Sequence, residues 1–429
     1  MLDLAYIREH PEEIKRGAAQ KRIQVDVDRL LALDAERRAL IKEVESLRAM
    51  KNAASDRIAK LAGEEKARAV AEMRAASARE KDLSGRLKEV ETELEALLLL
   101  VPSPPADDVP EGDESANAVI RTWGTPTRFD FPLRDHVELA ESLDIIDIPR
   151  GVKVSGARFY YLKNEGALLH WAVCRFALDH LVRKGFTPLY VPVLVKREAM
   201  LGTGYFPGGE EQAYKIPEDE LFLVGTAEVS LCAYHADEIL SEDELPKRYV
   251  GYSSCFRREA GTYGKDTRGV YRIHQFDKVE QVVICRNDLE TSIREQEFIQ
   301  ENAEEIVRAL GLPHRVVVVA TGEMGQGQVK KYDIETWMPG RGGYGETHSC
   351  SRFHDFQARR LNLRYRKKDG GIEFCHTLNN TAIASPRILI AILENYQRAD
   401  GSVVVPEVLR PYMGGMEVIR PKRQGANGG

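Results

Sequence analysis

Between Phe256 and Glu280 the chain reads FRREAGTYGKDTRGVYRIHQFDKVE, which sets Arg257, Glu259, Arg272, Phe276 and Glu280 around a loop of glycines and basic residues. Apolar, alternating runs flank that loop, Lys247–Phe256 before it and Tyr271–Val283 after it, so it reads as the tip of a β-hairpin. Two guanidiniums, a carboxylate and an aromatic ring then share one face. Guanidiniums make paired contacts to phosphate oxygens, and a phenyl face can stack a purine. The pattern predicts a site for a nucleoside triphosphate built without a Walker loop. A lone Arg-x-Glu would more often be a solvated surface pair, so a second element has to tip the balance.

That element is HTLNNTAIASPRILIAILENYQ, residues 376–397. The short residues Asn380, Thr381, Ala382, Ala384 and Ser385 lead through Pro386 into an amphipathic helix. Proline suits the first helical turn, which puts Arg387 at a helix start whose free N–H groups favour an anion. On these segments the chain resembles the class II aminoacyl-tRNA synthetases. FRRE…R is similar to their second signature, the small-residue run ending at Arg387 to their third, and HLVRKGFTPLYVPVLV, marked by Pro192, to their first. Within the class it resembles the seryl-tRNA synthetases. LVGTAEVSL, FRREAG…DTRG, HQFDKVE, SCSRFHDFQARRLNLRYR and ENYQRADGSVVVPEVLRPYMGG carry that resemblance, which spans essentially the whole chain.

The resemblance implies a serine–tRNA ligase that uses ATP and Mg²⁺, with roles for particular residues. Thr226, Ala227 and Glu228 match the Thr-Ala-Glu signature of the serine pocket. Glu280 matches the acid that receives the substrate serine, and Thr381 the small hydroxylated residue facing it. Arg257 is expected on the α-phosphate, Glu259 near the adenine amino group, Phe276 stacking the base with Ile273 nearby, and Arg387 on the far phosphates. Arg258 lies between the signature pair and is expected to point the other way along the strand. Glu346 and Ser349 match magnesium ligands, and Thr347 and His348 complete that part of the nucleotide set. Two strings depart from the family pattern. Where EISSCSN or EVSSCSN is usual, this chain has Glu346-Thr347-His348-Ser349-Cys350-Ser351-Arg352, and LNNTAIASPR stands where LNGSGLAVGR is common. By residue type His348, Cys350, His354, Cys375 and His376 could form a zinc cluster, but their spacing is poor for one.

The elements that position these residues fall into two regions. In 28–100, Leu33, Leu40, Leu47, Ala54 and Leu61 recur every seven residues, and after a break at Ala62–Gly63 so do Ala69, Ala76, Leu83, Val90 and Leu97. Two such series predict an antiparallel helical hairpin. Its distal part, Arg48–Lys88, carries 11 Lys/Arg against 6 Asp/Glu on a chain of net charge −6. Periodicity alone favours a dimerisation coiled coil. The basic excess suits a phosphate-rich partner, and the resemblance implies an arm that grips the long variable arm of tRNA(Ser), and also tRNA(Sec), from the other subunit of a homodimer.

Residues 103–130, rich in Pro, Asp, Glu and Gly, read as a linker between an N-terminal domain (1–102) and a catalytic domain (131–420), with a disordered tail at 421–429. Helices are expected at Asp135–Leu143 and Leu168–Lys184. Strands are expected at Leu221–Leu231, Tyr249–Phe256, Tyr271–Val283, His314–Ala320, Asp333–Met338, Gly345–Ser351 and Ile372–Leu378. Mostly antiparallel strands with helices on one face make an α+β fold, and the absence of GxxxxGK[ST] argues against a P-loop domain. No apolar run is long enough to span a bilayer, MLDLAYIREHPEEIKRG lacks an export core, and the six cysteines form no CxxC pair. A cytoplasmic enzyme is expected. The rival readings are a ligase that charges a carrier protein, which would have no use for the arm, and a non-catalytic protein with a decayed synthetase fold.

Overall fold

The seven-residue series build two long helices, α1 (Val27–Ile58) and α2 (Gly63–Leu98). The computed structural model describes residues 1–58, 60–262 and 268–422, and divides into two compact units, Met1–Pro104 and Pro105–Gly429. In the first unit α1 and α2 pack antiparallel over a seam of Leu30, Leu33, Leu40, Val44, Val90, Leu94 and Leu98. Ile7 and Ile14, from two short N-terminal helices, close the proximal end. Each long helix spans roughly 50 Å at 1.5 Å per residue. The seam thins distally, where Leu47 is half-buried and Ala76 is the buried residue of α2. Ion pairs bracket it instead: Arg29–Glu93 at 2.8 Å, Arg37–Glu91 at 3.1 Å, Arg86–Glu36 at 2.8 Å and Lys51–Glu80 at 2.7 Å.

The second unit is organised by one eight-stranded sheet. Its strands are β1 (Ala118–Trp123), β2 (Thr187–Tyr190), β3 (Lys247–Phe256), β4 (Gln275–Cys285), β5 (His314–Val318), β6 (Lys330–Met338), β7 (Gly343–His354) and β8 (His376–Ser385). The order across the sheet is β1-β5-β6-β7-β8-β4-β3-β2, antiparallel throughout except for the parallel edge pair β2/β3. Helices α3 (Glu165–Arg183), α5 (Leu289–Ala309) and α6 (Arg387–Asn395) share one apolar core with the sheet, while the short α4 (Glu228–Ala233) packs with β3 and β4 in a second cluster. Alternation along β4 assigns the faces. Asp277 and Gln281 bond to α3 and α5, whereas Phe276, Lys278 and Glu280 line a cavity.

This is the expected α+β architecture with a helical hairpin. Three local expectations need correction. The stretch 103–130 is not a free linker, because Ala118–Trp123 within it is an edge strand of the sheet. Leu221–Leu231 is a strand only to Leu223, with helix from Glu228. Ile372–Leu378 splits into Ile372–Phe374 and the start of β8, so the small residues after His376 form a central strand. Helix α5 was not anticipated. The face it buries is largely polar (Ser292, Glu295, Gln296, Gln300, Asn302), which hides the apolar period that announces a helix. The expected disordered tail lies, from residue 423, outside the described residues.

Candidate active site

Strands β4, β7 and β8 supply the floor of a cavity of about 400 Å³, and the turn after β3 supplies one wall. The cavity brings together Glu228, Arg257, Glu259, Ile273, Phe276, Glu280, Glu346, Thr347, His348, Ser349, Thr381 and Arg387 from the sequence-derived set. Three expected members do not line it. Thr226 and Ala227 are buried behind the wall, where the Thr226 hydroxyl accepts the Glu228 N–H at 3.2 Å and so starts α4. Arg258 is exposed, and its backbone N–H donates to the Gln212 carbonyl at 2.9 Å. Strand β3 has already ended at Phe256, so the side-chain directions here follow a turn in which Glu259 takes a positive φ of 51°.

At the base of the cavity Glu280 is 1 % exposed and sits opposite Thr381 across the β4/β8 ladder. The Thr381 hydroxyl donates to Glu280 Oε2 at 3.4 Å, and Lys278 Nζ lies 2.6 Å from the same oxygen. Burial raises the Glu280 pKa above the usual carboxylate range, with Lys278 pulling the other way. Glu228 is held away from free solvent by Tyr205 OH at 2.8 Å and by the Gln357 amide at 2.8 Å.

Around the rest of the cavity the groups are cationic and aromatic. The Arg257 guanidinium lies 5.2 Å from the Phe276 ring centroid and donates to the Gly225 carbonyl at 3.3 Å. Glu259 is paired with Arg272 at 2.8 Å. Arg387, at the first position of α6, donates to the Glu346 carbonyl at 3.0 Å and stacks 4.3 Å from the Tyr271 ring. The Glu346 carboxyl is half exposed. Burial opposes its ionisation, but Arg387, Lys331, Arg257 and Arg272 together hold its pKa below the usual value.

A bulge in β7 arranges this end of the site. In the β6/β7 ladder Glu335 faces Glu346 and Ile334 faces His348, so Thr347 is an extra residue. On a regular strand Glu346 and Ser349 would point to opposite faces. One inserted residue puts both on the cavity. Thr347 instead bonds Thr336 at 2.7 Å. His348, fully buried, bridges the Thr347 hydroxyl at 2.8 Å and the Ala382 carbonyl at 2.9 Å. Burial drives the His348 pKa down to about 3, so the imidazole is a neutral strut between β7 and β8. Glu346 and Ser349 offer hard oxygen donors beside four cations that attract phosphate, a donor set that fits Mg²⁺ completed by phosphate oxygens and water. Among the described residues no group of three or more His, Cys, Asp or Glu gathers for a metal, and His354 and His376 stack at 4.9 Å rather than converging on one.

Comparison with known proteins places this geometry in a family. Residues 1–105 match the seryl-tRNA synthetase N-terminal domain and residues 213–396 the tRNA synthetase class II core domain (G, H, P, S and T). The serine–tRNA ligase of Thermodesulfovibrio yellowstonii is 46 % identical over 98 % of this chain and 100 % of its own length. The chain belongs to the seryl-tRNA synthetases. Two solved structures of the family superpose on it. Seryl-tRNA synthetase from Pyrococcus horikoshii complexed with ATP has a TM-score of 0.92 at 41 % identity, covering 99 % of this chain and 100 % of that one. The cytoplasmic serine–tRNA ligase from Naegleria fowleri in complex with AMP has 0.86 at 31 %, covering 98 % and 97 %.

Sequence reasoning passed over several cavity residues of this synthetase. Lys278 was legible in principle, since it lies two residues before Glu280 and strand alternation puts both on one face. Tyr205, which lines the cavity and holds Glu228, carries no motif. Two residues outside the lining were passed over as well: Gln357, which also holds Glu228, and Asp333, whose carboxyl meets Lys331 at 3.1 Å and whose pKa burial raises to about 6.

Proposed function

We propose that this chain activates L-serine with ATP to seryl-adenylate and transfers the seryl group to the 3′ end of tRNA(Ser), and of tRNA(Sec) through the same arm. The observation that carries the reading is the pairing of the buried Glu280 and Thr381 in the same cavity as Arg257 and Arg387. A carboxylate shielded from water can hold the substrate ammonium and accept a hydrogen bond from its hydroxyl. A site built to bond that hydroxyl rejects alanine, which would leave its polar groups unpaired.

The chemistry needs no protein nucleophile. Adenine stacks on Phe276 beside Ile273, with Glu259 at its amino edge. Arg257 takes the α-phosphate and Arg387 the far phosphates. The serine carboxylate then attacks the α-phosphorus in line and pyrophosphate leaves. The terminal ribose hydroxyl of tRNA next attacks the acyl carbon and releases AMP. Alignment and preorganised charge supply the rate. Glu346 and Ser349 would hold Mg²⁺, which neutralises phosphate charge when bound.

The same reading assigns the arm to tRNA. Lys60, Lys66, Arg74, Lys81 and Lys88 are exposed and make no ion pair among the described residues, so they are available to a phosphate backbone, the kind of contact by which RNA shape is read. Homodimerisation is supported by an apolar row on α3, Leu168, Trp171 and Val182, and by Tyr190, 98 % exposed on the edge strand β2. Six buried, unbridged cysteines suit a reducing cytoplasm.

Pyrophosphate exchange across a panel of amino acids tests the reading. Serine alone should support exchange, and tRNA with a long variable arm should accept the product. Exchange with another amino acid in preference to serine, or none at all, would refute it.

A further inference from the structure

On the helix side of the sheet, behind the nucleotide end of the cavity, one histidine joins three elements. His170, 6 % exposed on α3, places Nε2 2.9 Å from Asp277 Oδ2 on β4 and Nδ1 2.8 Å from Ser385 Oγ at the end of β8. Asp277 also accepts from Tyr252 OH at 2.5 Å and Ser254 Oγ at 2.7 Å, both on β3. Burial works against its charge, yet the bonds from His170, Tyr252 and Ser254 hold its pKa below the usual value. The carboxylate is therefore an anionic hub that fixes the imidazole ring, and the ring fixes the serine. A Ser–His–Asp chain can activate a nucleophile, but Ser385 exposes no surface, so its hydroxyl is a strut.

The two ends of this strut adjoin the two groups that face the nucleotide. Asp277 is the residue after Phe276, and Ser385 lies two before Arg387, with only Pro386 between. The imidazole is what ties Ser385 Oγ to Asp277, so its removal takes from the start of α6 this side-chain anchor to β4. The serine pocket is outside the network, since Glu280 bonds to Thr381 and to Lys278 on the opposite face.

We propose that His170 is a positioning residue for ATP, locking the stacking ring of Phe276 and the guanidinium of Arg387 into one register through Asp277 and Ser385. It acts on the nucleotide and leaves serine recognition alone. The inference rests on the nucleotide roles proposed above for Phe276 and Arg387.

The test is pyrophosphate exchange by the full-length enzyme with ATP and serine varied independently. His170→Ala should raise KM for ATP about tenfold, the scale of removing a charged hydrogen-bond network, with KM for serine changed less than about twofold. Ser385→Ala should give the same split. His170→Gln, which keeps an N–H donor and an acceptor on this side chain, should restore KM for ATP, which separates positioning from a general loss of stability. An unchanged KM for ATP in His170→Ala, an equal rise for serine, or no rescue by glutamine would overturn the proposal. Arg387→Ala is the control: if it leaves KM for ATP unchanged, the nucleotide assignment itself fails. If it raises KM while His170→Ala does not, only the role of His170 falls.

Discussion

Lys278 Nζ and Glu280 Oε2 are 2.6 Å apart on the floor of the cavity, in two side chains that are almost wholly buried. Each charge makes the other tolerable there, and removing one leaves its partner desolvated and alone. On the assignment proposed above, an incoming serine ammonium shares Glu280 with a cation already in place. Glu280→Ala is expected to abolish serine activation, with kcat/KM in pyrophosphate exchange down at least about a hundredfold, on the scale of breaking a buried charge pair. Seryl-adenylate formed at near parental rates would show the pocket to be misassigned.

Thr381 tests discrimination rather than affinity. Thr381→Val keeps the shape and deletes the hydroxyl that donates to Glu280. Serine should drop about tenfold in kcat/KM, while alanine, which has no hydroxyl to place, should change little. Amino-acid competition in adenylate formation reads that ratio directly.

Glu346→Gln addresses the metal. An amide retains the size of the carboxylate and discards the charge that Arg387, Lys331, Arg257 and Arg272 keep ionised. The magnesium concentration for half-maximal exchange should rise about tenfold or more, since a hard cation favours anionic oxygen. An unchanged magnesium requirement would place the ion elsewhere.

Two stacked imidazoles predict an acid limit on stability. Burial first, then Arg352, pull the His376 pKa down to about 4, and burial takes His354 to about 3, both from the usual 6.5. The unfolded chain protonates these rings below pH 6.5 while the folded chain does not, so the unfolded state binds more protons. Stability is complete above that pH and falls as the medium acidifies toward about pH 4, by about 1.4 kcal/mol per pH unit for each ring. Urea denaturation between pH 7.5 and 5 should show this decline, and His376→Asn should make it shallower. An identical slope in the variant would exclude His376 as its source.

The basic residues of the arm are testable by salt. Replacing Lys66, Arg74 and Lys81 with alanine should raise KM for tRNA and flatten its salt dependence, by about 0.7–0.9 in log–log slope for each phosphate no longer neutralised. Pyrophosphate exchange, which needs no tRNA, should be unaffected. A loss of exchange would mean that the substitutions damage the fold.

What the sequence made legible follows from where the information is local. Arg257 and Glu280 sit in a hairpin whose alternation is written in consecutive residues, and the seam of α1 and α2 in leucines seven apart. Glu346 and Ser349 were matched by motif, yet their common face depends on the register of β7 against β6, which no single strand encodes. Helix α5 escaped because its buried side is largely amide, hydroxyl and carboxyl, bonded by contacts such as the Asn302 amide donating to Gln281 Oε1 at 3.0 Å. Strand β1 escaped because it is an exposed edge, with only Ala118 half-buried, in a segment whose prolines and acids suggest a tether.

The supernumerary position at Thr347 has a consequence beyond geometry. Along a pleated ribbon, parity decides which side a group belongs to, and one additional residue reverses it for everything that follows. A version of this enzyme shortened by that single residue would keep the glutamate and the serine of the string, yet turn the serine hydroxyl into the helix layer. Chain length at this point is as much a part of the active centre as the identity of its side chains.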